Sequence, residues 1–456
     1  MNLIKNKKYE IANSVQGLMS VLNEIKDDYY EGCLKHTFTK RQFENLLNDN
    51  RSPNRYRTFY ILKKNGGKRE IKAPSKELMV ILNCIKILLQ SIYKPSECAM
   101  GFVPCKSVVD NAAVHVGHNY VYNIDLQDFF PTISQPRVWK RLQLPPFNFD
   151  QDTASIIAGL CCSYDESRKQ NVLPQGAPTS PILSNAICDN LDRRLRGVAR
   201  RFGLHYTRYA DDITFSSMHN VYQREGLFIK ELNRIIEQQG FKINVGKVRL
   251  LHNWERQEVT GITVNKKVNV QKKYVSDLRW IINLWEKKGY AKAYASFYIA
   301  YKQQKRHIKL GEPIMENVIN GKLNYLKNVK GDTNPTYQRL RLRFESLISQ
   351  YHKTKTDDIY YIQEYSFNSF CKLFNAQIYL TLSNRNNVYG ICIGPEFITE
   401  LYISKKSQLT LKSSDKLALS KLIKLDNNNK DRCLITLCNK KGKNFWLMTF
   451  LDTITI

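Results

Sequence analysis

Two adjacent acids set inside a run of strand-forming residues constrain this chain more than anything else in it. His205-Tyr206-Thr207-Arg208-Tyr209-Ala210 leads into Asp211-Asp212, and Ile213-Thr214-Phe215-Ser216 leads out. β-Branched and aromatic residues on both sides of a short polar step predict strand, tight turn, strand, with the carboxylates at the hairpin tip. Like charges side by side repel unless a cation lies between them, and oxygen-only ligands with room for water suit Mg²⁺. An isolated Asp-Asp is more often a solvated turn, so the rest of the chain has to supply the reason for this one.

A third acid supplies it. Tyr120-Val121-Tyr122-Asn123-Ile124 is apolar and β-favouring, ends in Asp125, and is followed by Phe129-Phe130, so Asp125 is predicted at a strand end. With that strand beside the hairpin, Asp125, Asp211 and Asp212 form one cluster. Three carboxylates can hold two Mg²⁺ ions roughly 3.5 to 4 Å apart, the arrangement of nucleotidyl transfer.

Charge points the same way. The 456 residues carry 70 Lys and Arg against 41 Asp and Glu, a formal net charge of +29, which suits a polyanionic partner whose counterions are released on binding. An acidic membrane surface is the other such partner, but no basic amphipathic anchor stands out. No run reaches the roughly 18 apolar residues of a membrane span, and Met1-Asn2-Leu3-Ile4-Lys5 runs into charge rather than an apolar leader. The 11 cysteines are scattered, without zinc-like spacing. Reduced thiols in a soluble cytoplasmic protein are expected.

Residues 1–50 read as helical, with Ile11, Val15, Leu18, Leu22 and Ile25 at helical spacing. Tyr60 to Ile71 reads as a hairpin around Gly66-Gly67 whose cations, Lys63 and Arg69 among them, suit a triphosphate; a merely solvated basic hairpin is the equal alternative. Leu78 to Tyr93 carries a core-facing helical stripe. In Asn111-Ala112-Ala113-Val114-His115, His115 by itself reads as a hydrogen-bonded structural histidine rather than a catalyst. Residues 137–162 look mostly helical. In Leu173-Pro174-Gln175-Gly176-Ala177-Pro178, the glycine lets backbone approach a substrate and Gln175 can bond a nucleotide; the plain alternative is a proline turn before the amphipathic helix Leu183 to Arg196. Tyr222 to Gln239 reads as helix and Phe241-Lys242-Ile243-Asn244 as strand. Lys247 then stands where a general acid could meet pyrophosphate; an ordinary surface lysine is the plainer alternative. Val259-Thr260-Gly261-Ile262-Thr263-Val264-Asn265 reads as one strand with a glycine break. Residues 274–329 are helical, with basic and aromatic residues interleaved as in a nucleic-acid groove. Gly331-Asp332-Thr333-Asn334-Pro335 is a boundary signal, and the segments beyond it alternate short apolar runs with turns.

The order of these pieces, over roughly residues 55–330, resembles the successive motifs of reverse transcriptases. Asn111-Ala112-Ala113-Val114-His115 and Val259-Thr260-Gly261 are similar to elements of the bacterial retron branch. Ile319-Asn320-Gly321-Lys322-Leu323 looks like that branch's helical thumb, which reads template RNA. The resemblance implies an α+β fold: a right-hand polymerase with fingers, palm and thumb, and an additional C-terminal α+β domain. The expected division is 1–50 helical, 51–245 fingers and palm, 246–330 primer-grip strand and thumb, and 331–456 accessory. Asp125, Asp211 and Asp212 would bind two Mg²⁺ ions, Lys63 and Arg69 the triphosphate, and Gln175 the incoming nucleotide. Phe130 would be the steric gate against a 2′-OH, and Lys247 would act at the leaving group. Asn111, His115, Val259, Thr260, Gly261 and Lys322 would carry the family's RNA-related motifs. Implied partners are dNTPs, a structured non-coding RNA that serves as template and primer, the branched RNA–DNA product, and an effector protein in defence against phage. Two other readings stay open: another bacterial reverse transcriptase (defence-associated, group II intron or diversity-generating), or chiefly an RNA-binding scaffold that restrains a toxic effector. The tail after 331 is not needed by a minimal retron enzyme.

Overall fold

The computed structural model describes residues 14–34, 36–48, 55–62, 66–304 and 313–353, and beyond these the strands within 360–455. The chain divides into two compact units, Met1–Gln271 and Lys272–Ile456.

The first unit opens with α1 (Val15–Tyr29) and α2 (Lys40–Asn48). Ser14 Oγ caps α1 by accepting from Gly17 N at 3.1 Å, and Leu18, Leu22 and Ile25 bury the face their spacing predicts. The basic hairpin follows as β1 (Tyr56–Leu62) and β2 (Lys68–Pro74), antiparallel with Leu62 opposite Lys68. Next come α3 (Lys76–Ile92), capped by Ser75, and the short α4 (Val108–Ala113), whose Ser107 and Asp110 form a capping box. The rest of the unit is β3 (Tyr120–Asp125), α5 (Gln135–Leu142), α6 (Gln151–Cys161), β4 (Ser163–Asp165), β5 (Gln170–Val172), α7 (Ser180–Arg201), β6 (His205–Tyr209), β7 (Asp212–Ser217), α8 (Leu227–Gln238), β8 (Arg249–His252), β9 (Glu258–Val259) and β10 (Ile262–Thr263).

One antiparallel sheet of order β6-β7-β3-β8 organises the unit. Side chains alternate across a strand, and here the alternation sorts chemistry. Tyr122, Ile124, Tyr206, Ile213 and Phe215 join the buried core with α7 and α8. Asn123, Asp125, Asp212 and Thr214 lie on the opposite face, in register with one another. That face is the floor of the site.

Three segments differ from their sequence reading. Phe241–Asn244 makes a single bridge, Ile243 to Leu126, rather than a strand, because the chain it runs beside turns away at Asp128, φ 46°. Val259–Asn265 is a hairpin, β9 to β10, rather than one strand: Thr260 (φ 46°) and Gly261 (φ 83°) both take the left-handed conformation that reverses the chain. Helix α8 starts at Leu227, not Tyr222, whose ring instead stacks on Tyr122 at 5.1 Å.

The second unit begins with α9 (Lys272–Gln304), broken at Gly289 (φ 77°), followed by α10 (Met315–Lys330) and α11 (Pro335–Lys353). The three pack together: the Trp285 ring of α9 meets Phe344 of α11 at 6.1 Å, and Arg341 Nη1 of α11 donates to Asn320 Oδ1 of α10 at 2.6 Å. Beyond them are β11 (Tyr360–Ser366), β12 (Gln377–Leu382), β13 (Val388–Gly394), β14 (Phe397–Ile403), β15 (Leu409–Thr410), β16 (Ile423–Lys424), β17 (Cys433–Lys440), β18 (Lys443–Phe450) and β19 (Ile454–Thr455). Seven of these form a sheet of order β11-β17-β18-β14-β13-β12-β16, antiparallel except where β14 meets β18. Among the described residues no helix is long and apolar enough to cross a membrane.

Candidate active site

The site lies on the polar face of the first unit's sheet. Asp125 and Asp212 are direct cross-strand partners, a relation that sets Cα atoms about 4.5 to 5.5 Å apart. Tyr209 pairs with Asp212, so Ala210 and Asp211 form the two-residue turn, and the Asp211 carbonyl accepts from Leu126 N at 2.9 Å. The strand ladder therefore brings the three acids to one place, with Asp211 at the hairpin tip and Asp212 starting the return strand.

A cleft of about 400 Å³ opens above them, lined by Asp125, Asp211, Asp212, Lys247, Arg69, Thr260 and Gly261, among others. Lys247 arrives through backbone pairing: Asn244 N donates to the Asp125 carbonyl at 2.8 Å, and a 3₁₀ turn over Val245–Lys247 carries the side chain in. Its Nζ lies 2.7 Å from Asp125 Oδ2. Arg69 reaches the cleft from β2, the second strand of the basic hairpin.

Negative charge is in excess here. Asp211 is held above the usual carboxylate range by loss of water and by the charge of Asp125, against which Lys247 and Arg69 pull it down. Asp212, although open to solvent at the cleft mouth, is pushed up to about 6 by the walls that strip its water and by Asp211 and Asp125. A cation among them would relieve that repulsion, and the donors are the carboxylate oxygens Mg²⁺ prefers. As the side chains stand, no group of three His, Cys, Asp or Glu among the described residues is closed tightly enough to hold a metal. One oxygen of Asp125 is engaged by the Lys247 ammonium. Divalent metal thus fits the donor set once the side chains turn toward a common centre.

The other expected residues fall into distinct places. Phe130 packs on Phe129 at 5.3 Å and, through Phe102 (6.2 Å), connects to Tyr209 beside the acidic turn (6.5 Å). The Gln175 carbonyl accepts from Lys72 N at 2.8 Å, joining its loop to β2. Asn111 Nδ2 donates to Thr260 Oγ1 at 3.3 Å, so two motifs 149 residues apart touch; Asn111 Oδ1 is buried without a partner among the described residues, and Val259 is fully buried. His115 is sealed against the same face of the sheet that carries the acids, 2.7 Å from both Ser216 Oγ and Thr207 Oγ1. Lys322 belongs to the second unit, its ammonium 5.9 Å from the Tyr274 ring centre. Lys63 lies outside the described residues.

Sequence reading missed the support of the turn. Arg208, fully buried, donates from Nε and Nη2 to Asp192 at 2.7 and 2.8 Å, from Nη2 to Asn185 Oδ1 at 3.1 Å, and from Nη1 to the Ala210 carbonyl at 3.2 Å. Burial works against its charge, yet Asp192 holds the guanidinium well above its ordinary pKa. Gly101 presses on the same turn: a Cβ there would lie 2.6 Å from Ala210 N. The available signal was an arginine at a core-facing position of a strand, one residue out of alternation with the polar face.

A family profile for reverse transcriptase (RNA-dependent DNA polymerase) matches residues 61–282. The chain is 36% identical over 274 residues to the Retron Mx65 reverse transcriptase of Myxococcus xanthus, covering 55% of this chain and 59% of that one. It is 35% identical over 231 residues to the Retron Ec86 reverse transcriptase of Escherichia coli, covering 49% and 68%. The Retron Mx162 reverse transcriptase of Myxococcus xanthus is 32% identical, with 46% and 47% covered. The chain thus spans between about half and two thirds of the length of these three relatives.

Proposed function

Because the chain belongs to the retron reverse transcriptases, a family with a right-hand polymerase fold, we propose that it is an RNA-directed DNA polymerase. It extends from a 2′-OH of a folded non-coding RNA to give a branched RNA–DNA hybrid, in the cytoplasm, within an anti-phage system that includes an effector protein. The observation that carries the catalytic part is the register pair Asp125–Asp212, with Asp211 at the adjoining turn and Lys247 and Arg69 in the same cleft.

Asp125, Asp211 and Asp212 would hold two Mg²⁺ ions. Bound there, these ions would supply Lewis-acid polarisation of the attacking ribose hydroxyl and of the departing pyrophosphate oxygens. Arg69, on the hairpin above Asp211, neutralises the triphosphate and positions it. Lys247, kept in the cleft by Asp125, gives a proton to the pyrophosphate as it leaves. Phe130, braced by Phe129 and Phe102, presents its ring to the 2′ position of the incoming sugar and disfavours ribonucleotides. Gln175, fixed through its carbonyl to β2, contacts the incoming nucleotide. Asn111 holds Thr260 and Gly261 at the cleft edge, where the primer strand lies, and His115 ties β6 to β7 on the face that carries the acids. Lys322 and its helical neighbours track RNA backbone.

The test is DNA synthesis on a supplied hairpin RNA with dNTPs and Mg²⁺. D211N/D212N removes two cluster charges without changing side-chain size, and synthesis is expected to fall below detection. Persistent synthesis by a folded double variant would sink the assignment. Sequencing of co-purifying nucleic acid separates the finer reading: DNA joined to RNA through a 2′ linkage is expected, and unbranched product would place the chain with another kind of reverse transcriptase. Should defence survive in D211N/D212N, the chain would act there as a scaffold instead.

A further inference from the structure

Trp254 stands 77% exposed in the turn after β8, outside the lining of the cleft. Its indole lies flat on the His252 imidazole, with ring centres 4.3 Å apart and planes 15° from parallel. His252 in turn meets Tyr120 of β3 edge-on at 5.2 Å. His252 Nδ1 is buried with no hydrogen-bond partner among the described residues, so aromatic packing rather than that nitrogen sets the ring's place. One face of the indole is covered and the other faces water.

The turn that carries it is tied down. His252 N donates to Glu255 Oε1 at 2.7 Å and Glu255 N to the His252 carbonyl at 3.1 Å. Asn265 Nδ2 donates to the carbonyls of Asn253 (3.1 Å) and Glu255 (2.7 Å), and Asn253 Nδ2 to Asn119 Oδ1 at 2.8 Å. A flat partner can stack on this ring without first ordering the chain, which removes a usual cost of binding.

Surroundings decide what the partner is. Asn265, clamped to the turn, leads directly into Lys266 and Lys267, both exposed. Arg256 is exposed as well, 3.1 Å from Glu258, and Glu255 is turned onto the His252 amide. Lysine is depleted at protein–protein interfaces, whereas a stacking ring with flanking cations is the pairing that single-stranded nucleic acid uses.

We propose that Trp254 is a stacking platform for an unpaired base of single-stranded RNA, with Lys266 and Lys267 against the neighbouring phosphates, at a subsite separate from the cleft. The choice of RNA over DNA rests on the function proposed above; the platform itself does not. The test is photocrosslinking of a 4-thiouridine-substituted oligouridylate to the full chain, with a primer–template hairpin added to fill the cleft, followed by peptide mapping and by titration of the same oligomer.

An adduct within residues 253–267 is expected, lost in W254A and kept in W254F. W254A is expected to weaken the oligomer about tenfold, in line with the stacking cost of one base, and K266E/K267E to lower the salt dependence. DNA synthesis on a short supplied primer–template should be unchanged in W254A, and D211N/D212N should crosslink as the unaltered chain does, so this result and that of the cleft are read independently. Equal oligomer affinity in a folded W254A overturns the platform and leaves the indole to a protein partner. Stronger crosslinking to oligothymidylate than to oligouridylate overturns the assignment to RNA.

Discussion

Arg208 is buried with no exposed surface, and its partner Asp192 likewise. Breaking a buried pair from one side strands a charge, which costs about 3 to 5 kcal/mol. D192A should therefore lower unfolding stability by roughly that amount in denaturant titration, while the paired replacement R208M/D192L should recover most of it. Synthesis should not recover in the paired replacement, because the Ala210 carbonyl has lost its donor and the turn bearing Asp211 its anchor; full activity there would refute the anchoring role. His115 offers a second test. Burial, with the nearby His118 and His205, takes its pKa from 6.5 down to about 3. Above pH 6.5 both folded and unfolded states hold it neutral and it contributes no pH dependence. Between 6.5 and about 3 the unfolded chain takes up a proton that the folded chain refuses, so stability falls as pH falls. The stability of the unaltered chain relative to H115Q should decline by about 2 kcal/mol from pH 6.5 to 4.5. Asp212 titrates with the opposite sign and cancels in that difference; a flat difference would mean that His115 is not sealed.

At the level of elements, the acidic hairpin was legible because everything that makes it is local: alternating β-formers, a two-residue turn, one acid in the turn and a second opening the return strand. Asp125 was legible at a strand end for the same reason, but no local pattern set its strand beside the hairpin, and the cross-strand pairing with Asp212 is visible only in the register. The support was not legible. Gly101 touches Ala210 across more than a hundred residues, and a glycine before Phe102 in sequence looks like any turn. Thr260-Gly261 was misread because threonine rarely takes a left-handed turn position; with asparagine there, the hairpin would have been evident. Gly101 also yields a test. In G101A the new Cβ would meet backbone at Ala210 N (2.6 Å) and Tyr209 C (3.0 Å), which cannot rotate aside as a side chain can. A stability loss of about 1 to 3 kcal/mol is expected. A shift of even about 1 Å at a reacting centre costs on the order of a hundredfold in rate, so synthesis should fall further than stability explains. Wild-type rates in G101A would show that the turn has slack.

For the whole molecule, the two units place different demands on the chain. The first is held by one continuous core running from α1 to α8, and the polymerase motifs of the sequence fall almost entirely within it. In the second, the strong break signal at Gly331–Pro335 is the turn between α10 and α11, with Gly331 at φ 85°. Helix α11 then packs Leu340 and Phe344 against its partners, and Arg343 Nε donates to Glu286 Oε1 of α9 at 2.8 Å. Each large apolar side chain buried this way contributes about 1.5 to 3 kcal/mol, and a domain's whole stability is only about 5 to 15 kcal/mol. A chain cut at 331 should therefore lose its helical unit, which shows as a lower-melting transition and rapid proteolysis between 272 and 331. A chain cut at 353 keeps α11 and should melt close to the full chain in that transition. It should also retain synthesis on a supplied template, which would assign the strands beyond 360 to a task other than nucleotide addition. Identical melting of the two truncations would show that α11 adds nothing to the bundle, and loss of synthesis in the chain cut at 353, with the bundle intact, would tie those strands to polymerisation itself.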